Sequence, residues 1–202
     1  MAFRFDNILE DWAVRYKKIA HDPAAGSKER AFYRIKSLTT ENDWMRNSNT
    51  AKSPCMLYSM MVDAQSGGAK TIKYQYDIYI ALKAVSSGLK KSAKQDDMLT
   101  ADIQLELDEM VQDLLAFLGV MRKTGVHPIT EKPIDENTRR MLAGLELEKA
   151  EWASIPVKLN EWHISGISID NVVPKKQCVD KEMYDKSPRQ YYGYAGIYGA
   201  ML

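Results

Sequence analysis

The sequence predicts an α+β fold: a mainly antiparallel sheet with a long hairpin, packed against an N-terminal helix and one long amphipathic helix, followed by an extended C-terminal tail. Two patterns carry this expectation. Ile72, Tyr74, Tyr76, Ile78, Ile80 and Leu82 stand at every second position, which puts them on one face of a strand. Leu99, Ile103, Leu107, Met110, Val111, Leu114, Leu115, Leu118 and Met121 recur at helical spacing and form one apolar stripe.

The elements follow in chain order. Phe5, Ile8, Leu9, Trp12, Tyr16 and Ile19 outline a first helix, with Asp6 or Asn7 as its cap. His21-Asp22-Pro23 is expected to end it, because the residue before proline avoids the helical region. GSKERAFYRIKSL suggests a short second helix from Ser27 that buries Phe32, Ile35 and Leu38. Thr39–Ser53 is polar and reads as a loop, with Trp44 as an anchor. Pro54–Ala64 is almost continuously apolar and fits a buried strand.

The turn over Gln65–Ala69 joins that strand to Thr71–Lys83, and the pair reads as a β-hairpin. GGAKT does not make a phosphate loop: Ala69 stands where Gly must precede the Lys-Thr pair, and Val62–Ser66 holds no Gly. Lys73, Gln75, Asp77 and Lys83 give the strand a mostly wet second face, with Tyr79 and Ala81 as exceptions. At about 3.3 Å per residue the strand extends roughly 43 Å, about the diameter of a compact chain of this length. It is therefore positioned to reach beyond its own body.

KAVSSGLKKSAK carries four lysines and reads as a basic loop. The long helix is expected over Asp97–Arg122, capped by Asp96 or Asp97, with seven acids and no base between Asp96 and Asp113. That acidic side is either a solvated face or a receptor for a neighbour's lysine-rich loop. Gly125–Asn137 is a proline-punctuated connector, and a helix follows over roughly 136–148. Ile155, Val157 and Leu159 alternate, and Trp162 and Ile164 alternate in the opposite phase. That slip implies a bulge or tight turn near Asn160-Glu161, with a further break at Gly166, so the segment reads as two strands or one strongly kinked strand ending at Asn171. The organisation is one domain over 1–172 and an arm over 173–202. In the arm, YYGYAGIYGAML alternates tyrosines with small residues. Such a segment cannot bury its own rings.

Composition narrows the function classes. The 202 residues carry a net charge of +1, which gives no general attraction to nucleic acid or anionic membrane. No run of 18 apolar residues predicts a membrane span, and MAFRFDNILEDW has acids where a secretion signal would be apolar. Cys55 and Cys178 lie far apart and fit reduced thiols in a cytoplasmic setting. His21, His127 and His163 lie in unrelated segments, and the acids of the long helix lack histidine companions. Gly166-Ile167-Ser168-Ile169-Asp170 departs from the nucleophile elbow at its last position. The expectation is no enzyme, no cofactor, no metal and no catalytic residue.

The stretches FRFDNILEDWAVRYKKIAH, PCMLYSMMVDAQSGGAKTIKYQYDIYIALKA, DDMLTADIQLELDEMVQDLLAFLGVMRK and WASIPVKLNEWHISGISID cover about half of the chain. In layout they resemble tail terminator and head–tail connector (neck ring) proteins of tailed bacteriophages, those of crAss-like phages among them. The resemblance implies a structural virion protein assembled in the bacterial cytoplasm. It implies a homo-oligomeric ring of six or twelve copies that meets portal, neck or tail tube proteins and passes DNA through its lumen without reading sequence. The subunit interface is expected at Tyr74, Tyr76, Tyr79, Lys90, Lys91, Lys94, Tyr191, Tyr192, Tyr194 and Tyr198. A soluble adaptor that binds one partner through a sheet edge is the alternative. The tyrosine tail docks either on a neighbouring subunit or on its own domain. If on a neighbour, deleting Arg189–Leu202 weakens assembly in mass photometry; unchanged assembly refutes that placement.

Overall fold

A computed structural model describes residues 5–24, 30–35, 51–63, 71–83, 93–159 and 162–174, with side chains described except at 62–63, 93–100, 153–159 and 174. Helix α1 (Phe5–Arg15) buries Phe5, Ile8, Leu9, Trp12 and Ala13, the stripe that 3.6-residue periodicity places on one side. It stops earlier than the apolar spacing through Ile19 suggests. Ala20 takes a positive φ of 45°, and its N–H reaches the Tyr16 carbonyl at 2.8 Å, a left-handed cap without glycine. Ile19 stays fully buried beyond the helix, so its spacing reports burial rather than helicity. The cap, and not the residue before Pro23, ends the turn.

The expected second helix is corrected. Phe32–Arg34 is strand β1, parallel to β2 with Phe32 opposite Met56. Phe32 is buried as expected, whereas Ile35 is only half-buried. Leu38 and Trp44 lie outside the described residues. Aromatic residues beside an available sheet edge gain ladder hydrogen bonds and cross-strand packing there.

The sheet has the order β1-β2-β3-β5-β4. Strand β2 (Cys55–Asp63) and β3 (Thr71–Lys83) form the expected antiparallel pair, from Cys55 opposite Ala81 to Asp63 opposite Lys73. On its other edge β3 pairs along its whole length with β5 (Trp162–Pro174), Thr71 opposite Pro174 and Lys83 opposite Trp162. Strand β4 (Glu151–Leu159) flanks β5, with a register shift between Ile155 and Leu159. The late segment is thus two strands, and the phase slip in the sequence marks their junction. Gly166 does not break β5, which runs past Asn171 to Pro174. A Cβ at Gly166 would meet the Tyr79 ring at 2.4 Å and the Ile78 carbonyl at 2.6 Å. Glycine is there so that Tyr79 can lie across the strand.

Helix α2 (Ala93–Thr124) lies on the face made by Met56, Tyr58, Tyr76, Ile78, Ile80 and Ile167. Its buried stripe is the expected one from Ile103 to Met121, joined by Phe117, with Leu115 half-buried. It begins at Ala93, so Asp96 and Asp97 are helical rather than capping. Ser165 Oγ donates to Asp108 Oδ1 at 2.7 Å and fastens the helix to β5. The acidic side is partly used within the chain. The Tyr16 hydroxyl donates to Asp113 at 2.7 Å, and Lys18 Nζ lies 3.5 Å from Glu106 and 3.8 Å from Glu109.

The connector is held by His127. Its Nδ1 accepts from the N–H groups of Ile129 and Thr130 at 3.2 and 3.1 Å, which leaves the proton on Nε2 to bond Asp11 at 2.8 Å. Helix α3 (Glu136–Ala143) is shorter than expected and is capped by Asp135, which accepts from the N–H groups of Asn137 and Thr138. The Thr138 hydroxyl and these amides hold the Asp135 carboxyl below its usual range. Past α3, Gly144 O accepts from Val172 N at 2.9 Å and Glu146 N donates to Asp170 O at 2.8 Å. A Cβ at Gly144 would sit 2.6 Å from the Val172 carbonyl, so only glycine allows this approach. A 3-10 turn at Leu147–Lys149 then leads into β4.

His21 is buried beside these layers, with its Nδ1 accepting from Ala31 N at 3.3 Å. Burial lowers its pKa, and Glu10, 3.6 Å from Nε2, opposes this only in part. The unfolded chain then binds a proton below about pH 6.5 that the folded chain refuses. Stability contributed by neutral His21 is complete above that pH and is lost as pH falls toward the lowered folded value. His21→Asn keeps an acceptor near Nδ1 and removes the titration. Urea midpoints at pH 7, 6 and 5 should fall less steeply for the variant than for the parent; equal slopes refute this assignment.

Candidate functional site: an aromatic groove at the open end of the hairpin

The half of the hairpin nearest its turn is poorly covered. On the face that carries α1 and α2, Met60 is 50% exposed; on the opposite face Met61 is 50% exposed. Tyr74 and Ile72 are half-buried, whereas Ile78 and Ile80 farther along β3 are enclosed. The alternation that makes β3 a strand runs past the region its own helices cover.

A groove of about 610 Å³ occupies this place. Its floor is aromatic. Phe5, the first residue of α1, stacks on Tyr76 with ring centroids 4.4 Å apart and planes at 20°. Tyr58 and Tyr74 lie 6.1 and 6.3 Å from Tyr76. Met60, Met141 of α3 and Val173 of β5 add apolar walls. Asn171 Nδ2 donates to the Tyr76 hydroxyl at 3.3 Å. Burial raises the pKa of Tyr76, so the phenol stays protonated at neutral pH.

One rim is ionic. Arg34 Nε donates to Asp6 at 2.6 Å, and its Nη2 donates to Glu10 at 2.8 Å. Asp6 is nearly inaccessible, while the Arg34 side chain is 44% exposed. The guanidinium therefore lies between a buried carboxylate and solvent. This ties β1 to α1 and leaves donors at the edge of an apolar hollow.

Two of the residues expected at a subunit interface, Tyr74 and Tyr76, meet in this groove. Tyr76 is mostly floor, and Tyr74 is the more open of the two. Tyr79 belongs to the opposite face, packed over Gly166, with its phenol pushed up to about 12 by burial beside Asp77. Lys94 lies in the first turn of α2, not in a loop. Lys90, Lys91, Tyr191, Tyr192, Tyr194 and Tyr198 lie outside the described residues, as do residues 64–70 of the hairpin turn. Sequence reading missed Phe5, Met60, Met141 and the Arg34–Asp6 rim as parts of one site. Met60 did carry a signal, since it continues the inward phase of β2 beyond the enclosed positions.

The other features have structural uses. Ser168 Oγ donates to Asp77 Oδ1 at 2.8 Å and accepts from Gln75 Nε2 at 2.8 Å. It sits in mid-strand rather than at an elbow. Both ring nitrogens of His127 are committed to its loop and to Asp11. Cys55 is buried at the start of β2. Among the described residues, no group of three or more His, Cys, Asp or Glu side chains is placed to hold a metal. No described helix is long and apolar enough to cross a membrane.

Comparison with family models, with curated proteins and with solved structures finds no match.

Arg34→Met tests the rim. It keeps the apolar stem but removes the guanidinium from the buried Asp6 carboxylate, at an expected cost of about 1–3 kcal/mol. Urea unfolding at pH 7 measures this, and unchanged stability refutes the role given to the ion pair.

Proposed function

We propose that this chain is a structural virion protein that assembles into a ring in the neck or tail of a tailed bacteriophage. It would act as a tail terminator or head–tail joining protein and do no catalysis. The observation that supports this best is the apolar, aromatic groove at the end of a hairpin that outruns its own core. Exposed methionines on both faces of β2 at that end leave the sheet ready for contact on two sides. A closed ring needs two different patches on each subunit, related by one rotation. A long strand with an open end and a separate tyrosine-rich arm can supply them.

The electrostatics agree with the reading. A net charge of +1 suits a lumen through which DNA must slide rather than stick. His21 and His127 spend ring nitrogens on backbone N–H groups, which fits scaffolding better than proton transfer. Ring partners would be further copies of this chain together with portal, neck or tail tube proteins, in a virion assembled in the host cytoplasm.

The adaptor reading rests on a different feature. The three-residue β1 is an edge strand, and a short edge can accept one added strand from a partner. Mass photometry separates the two readings. Six copies of the 23.0 kDa chain weigh about 140 kDa, and twelve weigh double. Met60→Asp and Met61→Asp should each raise the midpoint concentration for assembly at least tenfold, about 1.4 kcal/mol. Each site is half exposed, so the melting temperature should barely move. A chain that stays monomeric both alone and with portal or tube proteins refutes the ring and favours the adaptor.

A further inference from the structure

We infer that the aromatic groove is the seat for the tyrosine segment 191–198 of a neighbouring copy of this chain. This rests on the ring reading and adds to it the identity of the two surfaces that meet.

The chemistry of the two parts matches. Residues 191–202 contain four tyrosines, Ile197, Met201, Leu202 and five glycines or alanines, and no charged side chain. The groove offers a floor of aromatic rings with Met60 and Met141 beside them. Ring on ring and sulfur on ring are both favourable contacts. The volume of about 610 Å³ is within the range that engulfs a ligand of several side-chain groups. Tyrosine also brings a hydroxyl, which needs a polar partner where it is buried. Arg34 stands at the rim with five N–H donors, of which Asp6 and Glu10 engage two. The glycines and alanines between the tyrosines let the segment's backbone approach a narrow hollow without side-chain obstruction.

The placement matches as well. Val173 lines the groove and the chain leaves β5 at Pro174, so each subunit sends out its arm beside its own groove. Sixteen residues, 175–190, separate that point from Tyr191, and eight of them are charged. A stretch half of whose residues are charged is suited to crossing water between two copies. Fully extended it spans roughly 53–58 Å, against a centre-to-centre distance of about 43 Å between touching copies of this size. The arm can cross to the next groove while that copy's arm moves on in turn. Passed on head-to-tail in this way, the exchange gives a ring where the rotation between copies closes the circle.

Full-length chains test this. Two differently tagged variants, both carrying Cys178→Ser, are mixed: one has Met60→Cys and the other Tyr194→Cys. Under mild oxidation with copper–phenanthroline, a disulfide should join the two tags, and adding Tyr74→Asp to the groove partner should reduce its yield at least tenfold. Should Met60→Cys melt early, Val173→Cys takes its place on the same wall. Absence of the cross-link with either groove cysteine, or a yield that Tyr74→Asp leaves unchanged, overturns the inference. So does a chain carrying both cysteines that bonds only within itself. Mass photometry of the unsubstituted chain keeps the two ideas apart. A ring without the cross-link refutes the seat alone, whereas a cross-link without a ring supports the seat and refutes the ring.

Discussion

Strand β3 is hydrogen-bonded on both edges, to β2 over nine residues and to β5 over all thirteen. The register of this one strand constrains everything around it. Its even-numbered residues face the helices and its odd-numbered residues face away, so a slip by one position would put Ile78 and Ile80 on the wrong side. Both neighbours oppose such a slip, because their own buried residues are aligned with it. Tyr58 and Ile167 flank Ile78, while Met56 and Ser165 flank Ile80. Once the row is set, Ser165 lies where Asp108 of α2 can accept its hydroxyl, and the long helix has a defined height on the sheet.

The opposite face is divided along its length. Near Lys83, Cys55, Leu57, Ala81, Trp162 and Ile164 are buried. Nearer the hairpin turn, Ser59, Asp77 and Ser168 form a polar row across three strands, with Ser59 Oγ 3.4 Å and Ser168 Oγ 2.8 Å from Asp77. Lys73 and Asp170 pair at 2.6 Å beside it. A polar row of this kind makes that stretch of the face less apolar than the stretch near Lys83. The helix-bearing face has no such row at the same end. It has Met60, Tyr74 and the stacked Phe5–Tyr76 pair. The asymmetry puts the aromatic hollow on the helix-bearing face, while the opposite face offers Met61 beside its polar row.

Close approach also shapes the site. At Gly144 the chain following α3 comes against the end of β5 and pairs with Asp170 and Val172. That contact extends the sheet edge beyond β4 and brings Met141 over the groove. His127 does comparable work at the other end of α1. It locks the connector to Asp11, so that α1 starts with Phe5 on Tyr76 and ends against the connector. Neither feature involves a reacting group, and both fix where apolar surface is left open.

Much of this could be read from residue order. The span Thr71–Lys83 was legible to the residue because apolar residues at every second position from Ile72 to Leu82 fit a strand and not a helix. The α2 stripe from Ile103 to Met121 was legible because eight apolar residues at helical spacing outweigh local noise. The site was half legible, since Tyr74 and Tyr76 stood out as large residues on an inward phase. What periodicity could not supply was the competition between segments. Phe32–Arg34 is too short to show a period, and it became a strand because the edge of β2 was available to it. Ile19 kept helical spacing but lies beyond a left-handed cap. Phe5, Arg34, Met60, Met141 and Val173 are far apart in the chain, and only packing brings them to one groove. The sequence by itself determined which side of each element is apolar, because that depends on spacing alone. The tertiary structure decided which apolar positions stay uncovered, because that depends on where the neighbouring elements end.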